Sequence, residues 1–332
     1  MLSQNNKIFV RQLQILLILN IAGMGVIALP RTVVAYAGCG GWINIVFAIV
    51  LVSAYTYLIC KLNKNIDKPI NKFIRVLFLF KLVLVAAMDI RIFSELVQKT
   101  VLETVPVYVV SAVIISVSVY AAVKGYETQA RVGEILILLM IFMFGIIIFT
   151  SFDVEYCNLL PVNHDSINKN ALLESLIAFS GFELAFLALP CINGERKKKI
   201  RGITVAVLIT GFLIFYLTMI IIARFGNLVT KQQWPLLDFL DSSAVPGTGV
   251  DRHGALMFSF FIISIFAVTS ASFIFSRLIL KDVLKKLKGS AVITVFLAAA
   301  VFFLSILPKT AVSGGMSGII SAMSMKLPKW YP

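Results

Sequence analysis

Residues 20–30 read Asn20-Ile21-Ala22-Gly23-Met24-Gly25-Val26-Ile27-Ala28-Leu29-Pro30, and residues 178–190 read Ala178-Phe179-Ser180-Gly181-Phe182-Glu183-Leu184-Ala185-Phe186-Leu187-Ala188-Leu189-Pro190. Both end in Ala-Leu-Pro, 160 positions apart, with glycine five to nine residues before the proline. Each lies inside a long apolar run. Glycine lets the backbone leave the helical region, and proline removes an N–H from the helical ladder. Polar backbone freed inside a bilayer is tolerated only where it lines a cavity or binds something. A lone stretch of this kind reads equally well as glycine packing with a proline kink. Two at matching places point to interrupted helices whose N–H groups and partial positive charge face a carboxylate.

Working outward, the chain has 332 residues, 59% of them hydrophobic and 14% charged, with a mean hydropathy of +0.96. Ordinary soluble domains carry about 25% charged residues. A soluble fold of this length lacks the interior to hide so much apolar surface. Composition therefore excludes a soluble enzyme, a disordered chain and a disulfide scaffold. A bilayer-spanning helix needs about 20 apolar residues. Such runs lie at roughly 11–37, 41–60, 73–98, 106–123, 130–151, 171–192, 202–225, 253–280 and 290–307, with a shorter Gly- and Ser-rich tenth at roughly 311–325. The expected fold is an all-α polytopic membrane protein of about ten transmembrane helices, one integral domain over residues 1–332. An offset of 160 equals five spans, and an odd number turns the second half upside down. The chain is thus expected to be a five-plus-five inverted repeat, about 8–151 and 171–325, with broken helices 1 and 6.

The charges carry topology. Lys plus Arg total 30 and Asp plus Glu 16, a net of +14. With the N-terminus inside and the spans alternating, 21 of the 30 positives fall on the inner side, including Arg196-Lys197-Lys198-Lys199, and 7 on the outer side. The excess places the N-terminus in the cytoplasm, so the basic run is a cytoplasmic loop rather than a nucleic-acid contact. Lys7, Arg11 and the following apolar run mimic a signal peptide, but the further spans favour an uncleaved first helix. Cys39 and Cys157 fall near the outer face, and Cys60 and Cys191 near the inner one. No Cys/His spacing suggests a metal. His164 and His253 lie in or beside outer loops, so no catalytic constellation, cofactor or enzyme activity is expected.

Ionisable residues inside spans need partners or a function, because each costs about 2.5–3.5 kcal/mol at a helix centre. Glu183 follows Gly181-Phe182 at the second interruption. It is a candidate to receive an amino group, a cation or a proton, with a structural pair to Lys81 or Arg91 as the plainer alternative. The third span holds Lys81, Asp89, Arg91 and Glu95 and must face the bundle interior. Arg91 and Glu95 are four apart and share a face. Asp89 lies about 80° round the helix from Lys81, near enough to approach it. Glu134 sits beside Arg131, an expected interfacial pair.

Gly23-Met24-Gly25-Val26-Ile27-Ala28-Leu29-Pro30, with Ala37-Gly38 and Gly41-Trp42, resembles the first-helix signature of the amino acid–polyamine–organocation superfamily. Phe179-Ser180-Gly181-Phe182-Glu183 is similar to its second broken helix. Arg11-Gln12-Leu13, Gly41-Trp42 and Trp234-Pro235-Leu236-Leu237 narrow the likeness to the spore-germination permease family, the B-subunits of germinant receptors. Asp251-Arg252-His253-Gly254-Ala255-Leu256 follows that family's acidic-Arg stretch and departs from it at His253-Gly254. The resemblance covers about residues 8–307. It implies a subunit that senses an amino acid or similar nutrient, beside A- and C-type receptor subunits, in the cell membrane or inner spore membrane of an endospore former. The expected ligand site is Ala22, Gly23, Met24 and Gly25 facing Gly181, Phe182 and Glu183. Ion or proton coupling is expected at Glu183, Asp89 and Lys81. Thr269 and Ser270 with Ala22 are candidates for sodium, since sodium-coupled relatives of the fold use hydroxyls there. Hydroxyls bonding their own helix are the alternative. The outer loop at about 226–252 reads as an extracellular lid or as a surface loop anchored by Trp234. An H⁺- or Na⁺-coupled amino-acid symporter and a structural scaffold subunit are the rival functions.

Overall fold

A computed structural model describes residues 8–62, 72–102, 104–151, 154, 156–160, 166–188, 192–193, 195–242, 253–283 and 290–306. The tenth span, Pro190, Cys191, His164 and the loop glycines Gly247 and Gly249 lie outside the described residues, as do the side chains of residues 23–28.

In lipid each backbone N–H and C=O must be satisfied within its own segment, so uncharged apolar runs become helices. The helices are α1 Val10–Ala37, α2 Trp42–Leu62, α3 Lys72–Thr100, α4 Val107–Lys124, α5 Tyr126–Thr150, α6 Lys169–Ala178, α7 Leu184–Ala188, α8 Arg196–Phe225, α9 Pro235–Ser242, α10 His253–Val283 and α11 Ser290–Ile306. Eight of the first nine expected spans are single helices, and the sixth is the pair α6 and α7. The molecule is an all-α polytopic membrane protein. Six stretches among the described residues are long and apolar enough to cross a bilayer, and Val10–Ala22 and Val292–Ile306 are shorter apolar helices. The charged α3 is not among them. The only strand pairing among the described residues joins β1 (Ile8–Phe9) to β2 (Ile192–Asn193) in parallel.

The first span departs from expectation. It is helical from Val10 to Ala37 with Pro30 inside, so the interruption expected at Gly23–Gly25 is absent from the backbone. An interior glycine costs about 1 kcal/mol and a proline about 3. Here Leu19, Ile21, Ala22, Leu29, Val33 and Val34 are buried on both sides of the stretch, and α1 packs on α5, α6, α8 and α10. That packing keeps the helix running. Proline leaves only the carbonyl four residues back without its donor. The helix ends at Gly38, where φ is +63°. Gly41 then lets the chain turn back closely, since a Cβ there would lie 2.6 Å from Val33 Cγ1 and 3.0 Å from the Val33 carbonyl oxygen.

Polar contacts sort the helix ends into two sets. At one end β1 meets β2, Arg11 pairs with Glu134, and Arg196 donates to the carbonyls of Cys60 and Lys61. At the other, Asn44 donates to the Ser166 carbonyl, Asn158 to that of Ala223, and Arg224 to that of Ser242. The starts of α1, α5 and α8 thus share one end with the end of α2, and the starts of α2 and α6 share the other with the end of α8. At the second end α9 packs on α1, α8 and α10, with Trp234, Leu236, Leu237 and Phe239 buried. Trp234 is thus an interior anchor of a folded cap, not an exposed lipid anchor.

Candidate functional site

The sixth span breaks where its sequence says it should. Asn168 caps α6 by accepting from the Asn170 N–H. The helix stops at Ala178, and Ser180–Glu183 form a single 3-10 turn before α7. The N–H of Phe182 donates to the Phe179 carbonyl at 3.0 Å. Gly181 packs closely on α1. A Cβ there would lie 3.3 Å from Ile21 Cγ1 and 3.4 Å from the backbone of Asn20. The break therefore rests on α1 immediately before Ala22 and Gly23.

Two side chains of the turn reach two further helices. Phe182 is buried, and its ring stands edge-on to Tyr55 of α2 and to Phe186, with centroids 5.8 and 6.0 Å apart. Glu183 forms an ion pair with Lys81 of α3. Three residues of the break thus join α1, α2 and α3. Of the expected ligand-site residues, the structure brings Gly181, Phe182 and Glu183 onto α1 just beside Ala22. The side chains of Gly23, Met24 and Gly25 lie outside the described residues. Because α1 is continuous, their backbone N–H groups belong to helical turns. That corrects the expectation of a second free half-helix N-terminus.

The ionisable residues of α3 divide into three. Lys81 takes Glu183. Arg91 takes Glu95 at 2.6 Å, as spacing predicts. Asp89 is fully buried, and neither carboxylate oxygen has a hydrogen-bond partner among the described residues. The approach of Asp89 to Lys81 through a hydrogen bond is therefore not realised. A second correction concerns Glu134. Its partner is Arg11 of α1 at 3.1 Å, because Arg131 bonds Glu127 one turn earlier on α5 at 2.9 Å.

Thr269 and Ser270 of α10 sit in a polar cluster. Their hydroxyls donate to the carbonyls of Ile265 and Phe266 at 2.7 and 2.5 Å. Ser118 of α4 bonds Thr269 at 2.7 Å, and Gln129 of α5 donates to Ser270 and to the Ala267 carbonyl. The hydroxyls bond their own helix, and the Ala22 carbonyl lies in continuous helix. Cys39, Cys60 and Cys157 are free thiols, and Cys39 donates to Asn227.

Sequence reading missed Ser118, Gln129, Asn20 and Glu174. Asn20 donates to the Leu16 carbonyl while its own buried oxygen stays unpartnered among the described residues. Glu174 is buried on α6 with Oε1 likewise unpartnered. A carboxylate inside the sixth span was a usable signal, whereas a single Ser or Gln in an apolar run has none.

Fold and site together define a polytopic membrane protein with a polar interior junction at a broken helix. Residues 7–313 match the family described as spore germination protein, and the chain belongs to that family. It is 24% identical to spore germination protein YndE of Bacillus subtilis (strain 168) over 93% of this chain and 89% of the relative. It is 23% identical to spore germination protein B2 of the same strain, with the same coverage. With spore germination protein KB it shares 27% identity over 72% of this chain and 69% of the relative.

Proposed function

We propose that this chain is a permease-like germinant receptor subunit that binds a small zwitterionic nutrient, an amino acid or a close analogue, at the α6–α7 break. The observation that carries this is the Lys81–Glu183 pair at a turn resting on α1. A carboxylate and an ammonium held against each other complement the ammonium and carboxylate of an amino acid. A nutrient entering between Gly181–Glu183 and the Ala22–Gly25 stretch exchanges the internal pair for two pairs to itself. Its binding favours one of two arrangements of the break, which partner subunits of A and C type read. The chain does no chemistry and needs no cofactor.

The two-halves organisation supports this reading. α1 lies against α6, a pair of corresponding spans whose starts are about 160 residues apart, and α3 lies against α10, the third span against the eighth. The basic ends of α2 and α8 support a reading in which the N-terminus is cytoplasmic and the α9 cap lies outside, in the cell or inner spore membrane. Asp89, buried on the helix that carries Lys81 and without a hydrogen-bond partner among the described residues, favours a second reading, a proton-coupled symporter in which it holds the proton. Thr269 and Ser270 give little support to a sodium site, because their hydroxyls are engaged within the protein.

Spores carrying Glu183→Gln are expected to need at least about tenfold more amino acid to germinate, a loss of about 1.4 kcal/mol, at unchanged protein level. An unchanged response points to a structural scaffold. Robust gradient-driven uptake of labelled amino acids by the lone chain in proteoliposomes points to the symporter.

A further inference from the structure

Where the last turn of α2 meets the first turns of α8, a cavity of about 510 Å³ opens. Its rim carries Lys61, Arg196, Lys197 and Arg201, and its floor is built from Tyr57, Ile200 and Val205. Among the described residues no carboxylate lines it. Lys61, Lys197 and Arg201 have no ion-pair partner among the described residues. The neighbouring Lys198, which does not line the cavity, pairs with Glu195 at 3.4 Å. Arg196 bridges to the Lys61 carbonyl at 2.8 Å and fixes the spacing of the two helices. Lys61 lies over the Tyr57 ring, 5.5 Å from its centroid.

The floor does not close. Four to eight residues on from Ile200 and Val205, the exposed side chains of Leu208, Ile209 and Phe212 continue the same face of α8. On α2, Val50 and Ala54 continue the face of Tyr57 and are also exposed. A cationic mouth thus opens into an apolar stripe running toward the middle of the bilayer. A soluble anion uses only the mouth and an acidic peptide has no use for the stripe. One ligand uses both.

We propose that this cavity is a binding site for an anionic glycerophospholipid, its phosphate headgroup among Lys61, Arg196, Lys197 and Arg201 and one acyl chain along Tyr57, Ile200 and Val205. Basic pockets between membrane helices hold such headgroups by this complementarity. The site is separate from the junction at Glu183, so either assignment stands without the other.

The test is native mass spectrometry of the full chain in detergent, titrated with phosphatidylglycerol or phosphatidylcholine of identical acyl chains. The wild type is expected to retain phosphatidylglycerol preferentially, and Lys197→Gln and Arg201→Gln each to weaken it about fivefold. Lys198→Gln should leave retention unchanged. Val205→Trp, which fills the floor with all four cations intact, should also expel the lipid. It keeps the test decisive where a charge variant fails to fold. Equal retention of the two lipids by wild type overturns the proposal, as does an equal effect of Lys198→Gln. Displacement of the lipid by inorganic phosphate, with Val205→Trp without effect, makes it a free-anion site. Displacement by a poly-glutamate peptide makes it a protein-docking site.

Discussion

Lys81 and Glu183 are each about one third exposed, with side chains 35% and 28% accessible, so the pair is neither a surface contact nor a sealed one. A surface ion pair such as Arg11–Glu134 contributes about 0–1 kcal/mol. A charge left alone in a span costs about 2.5–3.5 kcal/mol, which gives each partner reason to hold the other. A double-mutant cycle with Lys81→Gln and Glu183→Gln, read by thermal unfolding in detergent, should return a coupling of about 1–3 kcal/mol. The double variant should be more stable than the sum of the singles predicts, and strict additivity would mean that the contact contributes nothing. Glu183 was legible in the sequence because a carboxylate in an apolar run stands out, and Lys81 was one of two partners named for it. Arg91 was excluded only by structure, where Glu95 takes it. The Arg11–Glu134 contact was not legible at all, since spacing along one helix says nothing about a residue on another.

At the scale of elements, the same sequence features have two outcomes. Glycine and proline permit a break and do not compel one. In the sixth span the turn at Ser180–Glu183 is held by Phe182 against Tyr55, by Glu183 on Lys81 and by Gly181 on α1. In α1 the flanking residues are locked into the core, and the helix continues. Hydropathy located the spans because bilayer thickness sets their length. It did not reveal α9, a short helix within a segment read as loop. Glycine packing elsewhere is similarly specific. A Cβ on Gly211 of α8 would lie 2.7 Å from Ile49 Cγ1 of α2. Gly211→Ala should therefore cost about 1–3 kcal/mol, and Ile49→Ala in the same chain should recover part of that loss. Both are measured as thermal stability in detergent. A Gly211→Ala protein as stable as wild type would show that α2 and α8 have room to part.

At the scale of the molecule, the excess of positive charge is distributed rather than bulk. It gathers at the end where α2, α5 and α8 meet the N-terminus, while the interior holds ion pairs such as Arg91–Glu95 and, among the described residues, the buried Asp89 and Glu174 with unpartnered oxygens. Membership of the spore germination family fits this division between a basic membrane face and a polar interior junction. A nutrient binding at that junction is what sets the function proposed for this chain. Hydrogen–deuterium exchange of the purified chain, with and without a mixture of the twenty amino acids, tests it directly. Slower exchange of amides 180–184 together with those of 20–25 is the predicted result. Unchanged exchange at both segments, with protection elsewhere or nowhere, would contradict it.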